Sequence, residues 1–128
     1  MKKEVVKTTS AAQPGGWYSQ AIRANNFIFV SGITGVDPSG GQLVARGDIA
    51  AQTRQAIRNM ANILEAGGSS LDRVVKTTVF IDDIDRFDDF NKAYKEFFVV
   101  NPPARSTVQV GRFSEGLCVE IEAIAICN

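Results

Sequence analysis

The polar side chains best placed to do chemistry lie near the C-terminus. Arg105, Thr107 and Gln109 alternate along one strand-like stretch, and Glu120 and Glu122 along the next. Residues 105–110 and 119–126 read as a hairpin closed by residues 111–118, with Val110 opposite Val119. Side chains alternate across a strand, so this register puts Arg105, Thr107 and Gln109 on one face with Glu120, Glu122 and Ile124. The other face, with Ser106, Val108, Val110, Val119, Ile121 and Ala123, is small and apolar and suited to receive helices. A face with one Arg and two Glu reads either as a solvated outer face or as a site or subunit interface. In this register Arg105 and Glu120 stand about 14 Å apart. A shared site would therefore need a neighbouring subunit or a different register.

Other chemistries are excluded by composition. The 128 residues contain no histidine, which removes His general-base catalysis, Ser-His-Asp and Cys-His triads and the usual zinc sites. Two cysteines, Cys118 and Cys127, are too few for a four-cysteine metal site or a disulfide scaffold; they could pair with each other, but read as reduced, partly buried thiols. Fourteen basic residues balance fourteen acidic ones, which argues against a protein that coats nucleic acid. No apolar run approaches the roughly 18–20 residues of a membrane helix, and no signal-peptide h-region follows the basic start. A soluble, cytoplasmic protein is expected.

The elements that must position these residues are readable from periodicity. Residues 4–7, 18–23 and 27–31 read as strands, with Asn25-Asn26 as a turn between the last two. A helix is predicted over 49–66, with Asp48 as N-cap and Gly67-Gly68 as its end. A second is predicted over 86–98, capped by Asp85 and carrying a core-facing stripe of Phe87, Phe90, Tyr94 and Phe97. A β-branched strand, 74–81, lies between them. The order β-β-β-α-β-α-β-β predicts one α+β domain over residues 1–128, a single mixed sheet with both helices on one face. The strand at 74–81 offers Val75, Val79 and Ile81 to one side and Val74 and Phe80 to the other. With Ile124 and Ile126 on the polar face, this predicts self-association.

The segments Pro103-Ala104-Arg105-Ser106-Thr107-Val108 and Val119-Glu120-Ile121-Glu122-Ala123-Ile124-Ala125 resemble the C-terminal signature of the RidA/YjgF family, the reactive intermediate deaminases. Tyr18-Ser19-Gln20, Phe29-Val30-Ser31-Gly32, Ala51-Gln52-Thr53-Arg54-Gln55, Val75-Lys76-Thr77-Thr78-Val79-Phe80 and residues 91–98 extend the resemblance over nearly the whole chain. It implies a chorismate-mutase-like fold and a homotrimer with clefts between subunits. It implies hydrolysis of 2-enamines and 2-imines, such as 2-aminoacrylate and 2-iminobutyrate, to 2-keto acids and ammonia, without cofactor or metal. Arg105 matches the position that clamps the substrate carboxylate, and Glu120 the one that handles the attacking water. Tyr18, Ser31, Gly32 and Thr107 match positions lining the cleft. The sequence departs from the pattern at Thr107, where the family commonly has Cys, and at Phe113, where it usually has an aliphatic residue.

Three rival readings stay open at this level. One is a ribonuclease or translation inhibitor, an activity attributed to some relatives, which zero net charge and the missing histidine fit poorly. Another is a binding module for small carboxylates, which needs Arg105 but not Glu120. The third is a specialised deaminase of larger enamines such as an aminomuconate.

Overall fold

The computed structural model describes residues 2–127. Six strands form one sheet: β1 (Lys3–Val6), β2 (Ala21–Ala24), β3 (Phe27–Ile33), β4 (Val74–Ile81), β5 (Ala104–Gln109) and β6 (Val119–Ile126). Their order is β1-β2-β3-β6-β4-β5, and every neighbouring pair is antiparallel except β4 with β5. Helices α1 (Ile49–Ala66) and α2 (Phe87–Lys95) pack on one face of it. This is the α+β architecture expected from the sequence.

Helix α1 begins where Asp48 accepts a hydrogen bond from the Ala51 N–H. It ends at Gly67, whose N–H reaches the Ile63 and Leu64 carbonyls. Its stripe of Ile57, Met60, Ile63 and Leu64 is wholly buried against the sheet. Two of its equally buried polar residues hold loops. Gln52 donates to the Ala45 and Gly116 carbonyls and accepts from the Cys118 N–H. Asn59 donates to the Thr34 and Val36 carbonyls.

Helix α2 is shorter than its periodicity predicts. Residues 84–86 form a single 3-10 turn, so the helix starts at Phe87 rather than behind an Asp85 cap. Asp83 caps that turn through the Asp85 N–H. Arg86 is drawn away from the helix axis by Asp82, the Gly47 carbonyl and Cys118 Sγ. Strand β2 likewise starts at Ala21, which leaves Tyr18 in the preceding loop.

The largest correction concerns β5 and β6. They are not a hairpin, because β4 lies between them. Ile81 pairs with Gln109 on one side and Val119 on the other, so the two outer strands are one residue out of the predicted register. One residue inverts every side chain of a strand. Arg105, Thr107 and Gln109 therefore share the inner, helix-covered face with Val119, Ile121 and Ala123, while Ser106 and Val108 face outward with Glu120, Glu122 and Ile124. A register shift between Val74 and Lys76 exchanges another pair: Val74 is buried and Val75 is exposed.

The outer face is nonetheless apolar over much of its area. Val5, Phe27, Phe29, Val75, Val108 and Ile126 all stand at least 41% exposed. The loop after β3 tests how closely the inner layers meet. A Cβ on Gly35 would lie 2.8 Å from both the Cα and the carbonyl oxygen of Gln52 in α1. Backbone cannot yield as a flexible side chain does, so Gly35→Ala should destabilise the fold by about 1–3 kcal/mol. A urea midpoint lowered at constant m-value is the expected result.

Candidate active site

Arg105 is held by α2. The strand places its side chain on the inner face at the sheet's edge, beneath the helix stripe. Its guanidinium carbon lies 4.7 Å from the Tyr94 ring centroid, 5.4 Å from that of Phe87 and 5.5 Å from that of Phe90. Three ring faces attract the cation and restrict the tilt of its plane. Nη1 donates to Asn91 Oδ1 at 2.9 Å, which fixes rotation within that plane. The Tyr94 hydroxyl is in turn tied to Thr77 Oγ1 at 2.8 Å. Burial pushes the Tyr94 hydroxyl pKa up, so the ring beside Arg105 stays neutral.

A groove of about 540 Å3 opens beside the guanidinium, lined by Asn91, Tyr94, Phe98, Pro102 and Pro103 among others. At the next inward position along β5, the hydroxyl oxygen of Thr107 is buried with no hydrogen-bond partner among the described residues. An orphaned buried hydroxyl is uncommon in native folds. Phe113 is half-buried in the segment that crosses from β5 to β6.

A second cluster forms around Gly32. The β3 strand is irregular between Val30 and Ile33. There the Ser31 N–H donates to the Gln20 carbonyl and Ser31 Oγ to the Ser19 carbonyl. These bonds bring the Tyr18 loop alongside β3. Tyr18 is half-exposed, its hydroxyl accepts from the Gly15 N–H, and it lines a groove of about 240 Å3 with Gln20, Gly32 and Thr34. Glu120 reaches in from β6. Its carboxylate lies so close that a Cβ on Gly32 would stand 2.7 Å from Oε2, so a side chain there would push the carboxylate aside. Burial first, and the Glu122 charge second, hold the Glu120 carboxyl above its ordinary range.

The structure thus brings Tyr18, Ser31, Gly32 and Glu120 together, and Arg105 with Thr107, but keeps the two groups apart. Glu120 and Arg105 lie two strands and three residues from each other, on opposite faces. Strand spacing and rise put their Cα atoms about 14 Å apart. Asn91 and Tyr94 were missed by sequence reasoning, which assigned Tyr94 to the core stripe. The available signal was their spacing: Phe87, Asn91 and Tyr94 share one face of α2 at helical period, and a polar residue inside an apolar stripe needs a partner.

Residues 8–127 match the endoribonuclease L-PSP family. A RutC family protein of Pyrococcus horikoshii is 47% identical over 123 residues, 96% of this chain and 97% of the relative. The human 2-iminobutanoate/2-iminopropanoate deaminase is 44% identical over 97% of this chain and 90% of its own. Among solved structures, E. coli TdcF with bound serine superposes with a TM-score of 0.90 at 35% identity, covering 98% of this chain and 99% of that one.

The elevated Glu120 carboxyl has a sign that can be checked. Its folded-state pKa lies above the unfolded value, so folding favours the protonated form. The group therefore costs stability as pH rises through that folded-state pKa. Site-resolved carbon NMR should show Glu120 titrating above an ordinary glutamate, and Glu122→Gln should lower its midpoint. An unchanged midpoint in Glu122→Gln would remove the contribution of that charge.

Proposed function

This chain belongs to the endoribonuclease L-PSP family, which includes the RidA/YjgF proteins, and from that premise we propose that it is a cofactor-independent enamine/imine deaminase. It converts 2-imino acids of the 2-iminobutanoate and 2-iminopropanoate type, with their enamine tautomers, to 2-keto acids and ammonia. The observation that carries this reading is the Arg105 cradle. A guanidinium already fixed by Asn91 and three rings can present its remaining N–H groups as a fork, which suits a carboxylate.

The chemistry follows from the two clusters. With the carboxylate bound at Arg105, a water held near Tyr18 and Glu120 attacks the imine carbon. Glu120 takes a water proton as the C–O bond forms and passes it to the imine nitrogen, which gives a neutral carbinolamine. Glu120 then takes the proton of the new hydroxyl and delivers it to the amine as the C=O bond forms and the C–N bond breaks, releasing ammonia. A carboxyl whose pKa is raised by burial holds its proton more readily than an ordinary glutamate, which suits it to both transfers. The orphaned Thr107 hydroxyl provides a further polar contact on the Arg105 face.

Because the clusters lie on opposite faces, one chain cannot complete this site. We propose a homotrimer in which the Arg105 side of one copy meets the Glu120 side of the next, closing a ring. The exposed apolar face of the sheet supports this, since Phe27, Phe29, Val108 and Ile126 would otherwise face water. Among the described residues no helix is long and apolar enough to cross a membrane. We place the enzyme in the cytoplasm, where enzymes that release such imines work.

Two measurements test the reading. Keto acid release from a freshly generated imine should fall about 30- to 1000-fold in Arg105→Ala, a loss of about 2–4 kcal/mol, and be partly restored in Arg105→Lys. Glu120→Gln should lose turnover while still binding a stable keto acid, whereas Thr107→Cys should change turnover less than about tenfold. An Arg105→Ala variant as active as wild type would refute the site. Sedimentation should give three times the 13.9 kDa chain mass, and a stable monomer at micromolar concentration would refute the shared cleft. RNA binding that falls steeply with salt, with no ammonia release, would favour a ribonuclease instead.

A further inference from the structure

Trp17 is the only tryptophan of the chain, and its side chain is fully exposed. It is not on a slack loop. Gln20, itself buried, bonds the Thr8 and Ala12 carbonyls and the Thr8 N–H. Gln13 donates to the Thr8 and Ala11 carbonyls, and the Gly15 N–H reaches the Tyr18 hydroxyl. The Tyr18 N–H closes a further turn on the Gly16 carbonyl. A braced loop therefore holds an indole out in water, although such a side chain normally buries about 150–250 Å2.

The groove beside Arg105 has the converse property. At about 540 Å3 it lies within the range of pockets for drug-sized ligands, and a four-carbon imino acid would leave much of it empty. Phe98, Val99, Pro102 and Pro103 give it an apolar wall, and Val99 is 76% exposed. Indole faces pack well against a guanidinium and against proline rings.

We propose that Trp17 of one copy docks in the Arg105 groove of its neighbour and forms the wall that limits the length of the substrate side chain. The inference rests on the shared cleft proposed above, where Tyr18 must approach the neighbour's guanidinium. Trp17 is next to Tyr18 in the chain, with its Cα about 3.8 Å away, so the same approach delivers the indole to the groove. The space left between indole and guanidinium accepts a methyl or ethyl group and excludes branched or aromatic side chains. Trp17 is thus a specificity-determining residue supplied in trans.

The test uses the full chain and imines generated in place from 2-aminobutyrate, leucine and phenylalanine. In Trp17→Ala the ratio of kcat/KM for the leucine- or phenylalanine-derived imine to that for 2-iminobutanoate should rise at least tenfold, and Trp17→Phe should give a smaller rise. In the wild type the single indole should emit at shorter wavelength on assembly, and 2-oxobutanoate should quench it. A ratio unchanged within twofold in assembled Trp17→Ala, with Arg105→Ala still inactive, would overturn this inference alone. So would an indole that emits as if in water when sedimentation shows full assembly. A monomeric wild type would overturn both this inference and the shared cleft.

Discussion

Parallel strands cannot be joined by a tight turn, so the chain between β4 and β5 must cross the sheet before it can pair again. Here that crossover carries α2, and its landing point decides the chemistry. The rings of α2 lie over the start of the edge strand, so Arg105, the first residue that β5 sends inward, meets them. Without the parallel pairing, the guanidinium would point to solvent with its conformational freedom intact. With it, the side chain is gripped by three rings and an amide.

A cation beneath a helix is acceptable because the rings compensate for lost hydration and one edge of the groove stays open. The carboxylate on the far side is handled differently. Glu120 lies over a glycine, is partly buried and feels the charge of Glu122. One charge is stabilised and the other is made uncomfortable. That contrast suits a binding group that must stay ionised and a proton carrier that must not stay so.

Much of the frame was legible in the sequence. The bounds of α1, β4 and β6 follow from periodicity and flanking glycines or aspartates, and the strand–helix order is as predicted. The error lay in pairing. Two consecutive strands joined by eight residues look like a hairpin, and nothing local reports that a third strand, formed earlier in the chain, lies between them. Strand order is set by non-local contacts, which leave no periodic trace. The Val74–Val75 exchange has a similar origin, because a bulge changes which face a residue occupies without changing its type. Site residues fared unevenly. Those with a motif were identifiable, and the structure sorts them into two groups. Asn91 and Tyr94 were hidden because their work on Arg105 depends on a strand crossing beneath their helix.

The division of the proposed site across the two faces of a sheet has a genetic consequence. A subunit that has lost its guanidinium still offers an intact carboxylate to its neighbour, and a subunit that has lost its carboxylate still offers an intact guanidinium. In the proposed ring, two inactive alleles, one damaged at each half, would therefore complement each other, while two alleles damaged at the same half would not. For the same reason a defective copy spoils sites it shares with healthy ones, so the dose of mutant chain, and not only its presence, sets how much activity survives.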